Sequence, residues 1–184
     1  EIVGLLHPDE INQAIVRALY RIYAETQVVL PGRVTDGDMD ANDTTSWTDV
    51  LTPTKSKVTS SGNVLTGLRA LRVLNNAAGE GVQSVTMRGF AANSTVYVHA
   101  GVRSDVGTAV LSLYNVTAST TVASASSTEE GWVHLWVRAQ VPAGCEEIAV
   151  QLIGTEDTAD IYWDHVACYL AEDRLLPAPS WLDD

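Results

Sequence analysis

A chain of 184 residues is the length of one ordinary domain with an appendage, and it can bury a core without a disulfide or metal staple. Its composition, 46% hydrophobic and 18% charged and rich in Val, Thr, Ser and Ala, excludes disorder for most of its length. The 11 Lys and Arg against 23 Asp and Glu leave a net charge of −12, which argues against nucleic acid and anionic membranes as partners, and no apolar run approaches the ~20 residues of a membrane span.

In chain order, Ile11, Ala14, Ile15, Ala18, Leu19, Ile22 and Tyr23 recur at spacings of three and four, which predicts an amphipathic helix over 7–26 with one stripe for burial. Pro8 suits its first turn, and Asp9 and Glu10 its positive end. Pro31 and Gly32 end it and set a boundary near residue 31, and TDGDMDANDTT then reads as a loop of turn formers before Trp47. The expected organisation is a helical arm at 1–30, a β domain at 31–170 and an extended tail at 171–184 that carries two prolines and an acidic end.

Beyond the loop the hydrophobic period becomes two. Strands are expected around 64–75, 81–88, 94–103, 107–117, 130–141, 146–153 and 159–170, with weaker runs at 55–59 and 120–125. Eight or nine short strands predict a sandwich or barrel. Two of them alternate cleanly enough to assign faces. Val133, Leu135, Val137, Ala139 and Val141 oppose Trp132, His134, Trp136, Arg138 and Gln140; likewise Val96, Val98, Ala100 and Val102 oppose Tyr97, His99, Gly101 and Arg103. Each strand thus has an aliphatic face and an aromatic-polar face.

Motifs that carry chemistry are missing. Four histidines stand far apart with no ligand partner at short spacing, and there is no nucleophile elbow, phosphate loop or dinucleotide fingerprint. The acids fall mainly in loops, where solvation accounts for them, so no catalytic residue is assigned and the chain is not expected to be an enzyme. Cys145 and Cys168 either pair or remain as two buried thiols. Sequons at Asn42, Asn93 and Asn115 arise readily in a chain rich in Ser and Thr and imply no glycosylation. The start shows neither an initiator Met nor a signal-peptide pattern.

Over residues 34–170 the sequence resembles the galactose-binding-like jelly rolls, in particular carbohydrate-binding modules of the xylan and β-glucan type. The marks are VTDGDMD at 34–40 followed by Trp47, TVYVHAGVRSDVGTAVLSLYN at 95–115, EEGWVHLWVRAQVPAG at 129–144, and the closing ADIYWDHVACYL at 159–170. The sequence departs from the family at Asp36 (usually Asn), Met39 (usually aromatic) and His165 (often Asp). The resemblance implies a mainly β jelly-roll sandwich and a structural Ca²⁺, for which Asp36, Asp38, Asp40 and Asp164 would supply oxygen ligands; the alternative is that these acids cap turns.

A glycan site needs flat aromatic surfaces and planar polar groups on a rigid sheet. Trp136, His134, Arg138, Tyr97, His99 and Arg103 have that chemistry, while Trp136 could instead pack under the helix or a neighbouring subunit. The family resemblance makes Trp132 a plug at the core edge, and one of Tyr162 and Trp163 should be core. The helical stripe of Ile11, Ile15, Ala18, Leu19 and Ile22 is the candidate assembly interface. A helical arm before such a sandwich resembles bacteriophage capsid or tail accessory proteins. The functional expectation is therefore a non-catalytic structural or adhesion module of a virion, with other subunits as partners and surface glycan as a further one. The alternative is a carbohydrate-binding module of a secreted glycan-active enzyme. Either places the protein in a virion or outside the cell.

Overall fold

The computed structural model of the chain describes residues 33–170. The helix expected over 7–26 with its interface residues Ile11, Ile15, Ala18, Leu19 and Ile22, the boundary near residue 31, and the tail at 171–184 lie outside the described residues.

Eleven strands make up the described domain: β1 (Trp47–Val50), β2 (Thr54–Val58), β3 (Ala70–Leu74), β4 (Gly81–Ser84), β5 (Met87–Arg88), β6 (Thr95–Val106), β7 (Ala109–Asn115), β8 (Thr120–Ser127), β9 (Val133–Gln140), β10 (Glu147–Gly154) and β11 (Asp160–Leu170). They form two antiparallel sheets. One runs β1-β4-β10-β7-β8, with β5 also paired to β10; the other runs β2-β3-β11-β6-β9. The predicted sandwich is therefore observed, with β1 as the strand that hydrophobic alternation missed: WTDV has an inward Trp47 and no second alternating partner to make a period.

The core lies between the sheets. Leu111 and Leu113 of β7, Val150 and Leu152 of β10 and Val82 of β4 face Val96, Val98 and Ala100 of β6, Val137 of β9 and Trp163 of β11, all nearly or fully excluded from water. The face assignments of β6 and β9 hold: Val96 pairs with Ala139, Val98 with Val137, Ala100 with Leu135 and Val102 with Val133. Trp163 is core and Tyr162 points outward, where Arg72 and Arg103 cover its ring. Cys145 and Cys168 are both buried, and no disulfide joins them. Asn115 is buried, and its side-chain carbonyl accepts the Ala118 amide, so that sequon serves a turn.

Leu152 packs at the centre of the first sheet between Leu111 and Val82. Leu152→Ala is expected to cost about 3 kcal/mol through lost burial and the cavity left behind. A urea titration should show a lower midpoint at unchanged slope.

Candidate functional site

The outward face of the second sheet carries the aromatic-polar residues in register. Across β9, β6 and β11 the rows are Arg138, Tyr97 and Tyr169; then Trp136, His99 and Ala167; then His134, Gly101 and Asp164. Register therefore brings five of the six sequence-derived candidates together on neighbouring rows. His99 and His134 do not pair: Trp136 stands opposite His99, and Gly101 opposite His134.

The rings form one continuous surface. His99 lies 4.7 Å from the Trp136 ring, 5.7 Å from His165 and 6.2 Å from Tyr169, and Tyr169 stacks on Tyr97 at 5.8 Å and 17°. The Arg138 guanidinium sits 5.8 Å over the Tyr97 ring. Most of these rings are buried or half-buried, but Trp136 keeps 53% of its surface exposed on an otherwise ordered sheet. A large, half-exposed ring beside planar hydrogen-bonding groups offers stacking and in-plane polar contacts together.

Two residues that the sequence reading left out of the site, Tyr169 and His165, belong to this surface. Tyr169 was legible in principle, because alternation along YWDHVACYL puts a ring on one face or the other. His165 was not. A register shift between Asp164 and Ala167 forms a β-bulge, and His165 takes a φ of 54°, which aims its ring at His99. Such bulges re-aim side chains without any hydrophobic signature.

The loop at 59–69 walls off one side of the face. Asp164 Oδ2 accepts the Leu65 and Thr66 amides, both at 2.9 Å, and Asp164 Oδ1 accepts the His165 amide at 2.7 Å. Arg103 donates to Gly62 O and Asn63 Oδ1, each at 2.7 Å, and pairs with Asp105 at 2.6 Å. Arg103, a candidate glycan contact, thus holds the wall. Gly101 is required here, since a Cβ would run into Leu65 Cδ2 and come within 3.1 Å of Asp164 O.

Desolvation holds His134 and His165 below the ordinary imidazole value; the neighbouring His165 adds to the effect on His134, and Asp38 partly opposes it for His165. Both rings are thus neutral at pH 7. Burial pushes Asp164 from 3.8 up to about 6, although its three amide donors favour the carboxylate. A raised carboxyl value means the folded state holds the proton more tightly than the unfolded chain. Its contribution is therefore fully present below about pH 3.8 and lost as pH rises through about 6. At roughly 1.4 kcal/mol per pH unit, reduced for residual screening, wild type should gain about 2 kcal/mol over Asp164→Asn between pH 7 and pH 4. Paired denaturant melts at the two pH values measure this, and a pH-independent difference would contradict it.

Among the described residues no group of three or more His, Cys, Asp or Glu is arranged to hold a metal ion, and each of the four acids named for Ca²⁺ accepts hydrogen bonds from the protein itself. Asp36 binds the Ala41 amide and the Lys57 ammonium, and Asp38 reaches the Asp40 amide. Asp40 binds the Leu68 and Arg69 amides, and Asp164 binds the wall. Contacts of this kind close turns and loops.

No family model matches the chain, and no curated protein is significantly similar to it in sequence. Solved structures do share its fold. The enzymatically active domain of tailspike protein 4 of bacteriophage CBA120 superimposes with a TM-score of 0.61 at 13% identity, over 76% of this chain. This chain spans only 21% of that tailspike domain. A family 61 carbohydrate-binding module solved with β-1,4-galactotriose gives 0.59 at 10% identity, covering 77% of this chain and 99% of the module. The CBM22-1 xylan-binding domain of Paenibacillus barcinonensis gives 0.57 at 16%, covering 78% and 97%. The described domain therefore has the galactose-binding-like jelly-roll fold of these modules, as the sequence resemblance implied.

Proposed function

We propose that the chain is a non-catalytic glycan-binding module whose binding surface is the outer face of the β2-β3-β11-β6-β9 sheet, centred on Trp136. The observation that carries this reading is the half-exposed Trp136 ring lying against His99, with Arg138 and His134 to either side and the 59–69 loop as a wall. Trp136 supplies the stacking platform for a pyranose ring. His134, neutral at pH 7, can donate and accept hydrogen bonds with hydroxyls, His165 offers the one ring nitrogen that Thr66 Oγ1 does not engage, and Arg138 donates only. No geometry among the described residues resembles a carboxylate pair flanking a cleft on this face, where Asp164 is buried under main-chain amides.

The structural neighbours lend support from two sides. The galactotriose complex and the xylan-binding domain are modules of stated glycan affinity, and the tailspike is a virion protein. In the reading we favour, the module serves adhesion within a bacteriophage particle, joined to other subunits outside the sandwich and displayed to surface glycans. A module of a secreted glycan-active enzyme is the second reading, favoured by the near-complete coverage of the isolated modules. A glycan array probed with the full chain tests the binding shared by both. Retention on neutral β-linked oligosaccharides is expected, and a blank array at high protein concentration would remove glycan binding.

A further inference from the structure

The loop from Val34 to Trp47 closes around a buried positive charge supplied by the chain itself. Lys57 sits on β2 and, by its register opposite Leu71, points inward. Its ammonium donates to Asp36 Oδ2 at 2.6 Å and to Met39 O at 2.8 Å, with Met39 Sδ at 3.8 Å. Only 5% of the Lys57 side chain and 4% of the Asp36 side chain reach solvent. The loop is shaped to this ammonium: Asp36 and Met39 both adopt left-handed backbone, with φ of 53° and 59°, and the Met39 amide closes the turn on Asp36 O at 3.2 Å. A second cation, the Arg69 guanidinium, binds Asp40 O at 2.9 Å.

Ca²⁺ needs six to eight oxygen ligands at roughly 2.3–2.6 Å. Here one Asp36 oxygen and the Met39 carbonyl are taken by an ammonium, Asp40 Oδ1 by two amides and Asp164 by three. The residues present do not fit the ion that the family resemblance implies. We infer that the Lys57 ammonium is the internal cation of this loop, serving where that resemblance places Ca²⁺, so that the domain reaches full stability without a divalent metal. The same loop accepts the Val166 amide at Gly37 O, 2.6 Å away, so the Lys57–Asp36 pair also steadies the bulge that presents His165.

Thermal melts of the full chain in excess CaCl₂ and in excess EDTA test the inference. The two curves are expected to coincide, and a midpoint several degrees higher in CaCl₂ overturns it. Lys57→Met removes the charge at similar length and strands Asp36, so its midpoint should fall by roughly 10 °C. The double variant Asp36→Asn with Lys57→Met should recover a large part of that loss, because no buried charge is then unpaired. A Lys57→Met melt equal to wild type, or a double variant as unstable as the sum of the singles, overturns the pairing. Should Lys57→Met fail to fold, the wild-type comparison in CaCl₂ and EDTA still decides the metal question.

Discussion

Trp136→Ala is expected to lower the affinity for any glycan retained by wild type by roughly 30-fold, about 2 kcal/mol, while leaving the melting temperature almost unchanged. The two halves of this expectation have different causes. Affinity falls because the indole is the one large ring of the cluster with a broad exposed face, and removing it deletes both the stacking surface and the apolar area a sugar would cover. Stability holds because the side chain is already half in water, on the outer side of β9, where truncations commonly change stability by under 1 kcal/mol. Titration calorimetry against the best array ligand, beside a thermal melt, measures both. Tyr97 and Tyr169 provide the contrast: they stack on each other, so Tyr169→Ala should cost stability as well as affinity. Equal affinity of wild type and Trp136→Ala would move the binding surface elsewhere on the domain.

Gly37→Ala is expected to be among the most damaging single-methyl changes, at about 3 kcal/mol and a fall of roughly 10 °C in melting temperature. A Cβ there would lie inside the van der Waals radius of the Val166 carbonyl oxygen, which belongs to the backbone and cannot swing aside. The loop must then retreat from β11 and surrender the hydrogen bond from the Val166 amide to Gly37 O. Because Asp36 is next in the chain, the retreat also pulls at its buried contact with Lys57. The bulge behind Val166 carries His165, so weakened glycan binding should accompany the lost stability. Gly131→Ala is the matched control: nothing lies within 4 Å of the added methyl, and no change beyond about 0.5 kcal/mol is expected. A thermal melt of the two variants side by side, with equal midpoints, would contradict the close-approach argument.

How much of this was legible in the sequence follows from what each feature depends on. The strands of the β domain other than β1, and the faces of β6 and β9, were readable because a side chain's face is set by its own position along an extended backbone, and alternation such as VHLWVRAQ records it directly. For the same reason Trp136, His134, Arg138, Tyr97 and His99 could be named as one polar-aromatic surface. Arg103 was named with them and sits on the same face, but its role is different, since the 59–69 loop captures its guanidinium.

Tertiary structure alone decided the rest. Which strands are neighbours is a long-range choice, and it set His99 against Trp136 rather than His134, and Tyr169 against Tyr97. The turn of His165 toward His99 comes from a backbone irregularity in β11 that no periodicity records. The acids of DGDMD allow either role, metal ligand or turn cap, because a carboxylate's role is fixed by the donors that reach it. The Lys57 ammonium on Asp36 and the amides of Leu68 and Arg69 on Asp40 come from segments well removed in sequence and meet these acids only in the folded sandwich. The sequence by itself thus determined the class of fold and the chemistry available on one sheet face, through local periodicity; the fold determined which of those groups touch, and that Lys57 reaches Asp36 in the acidic loop, because contacts between distant segments exist only once the two sheets have closed.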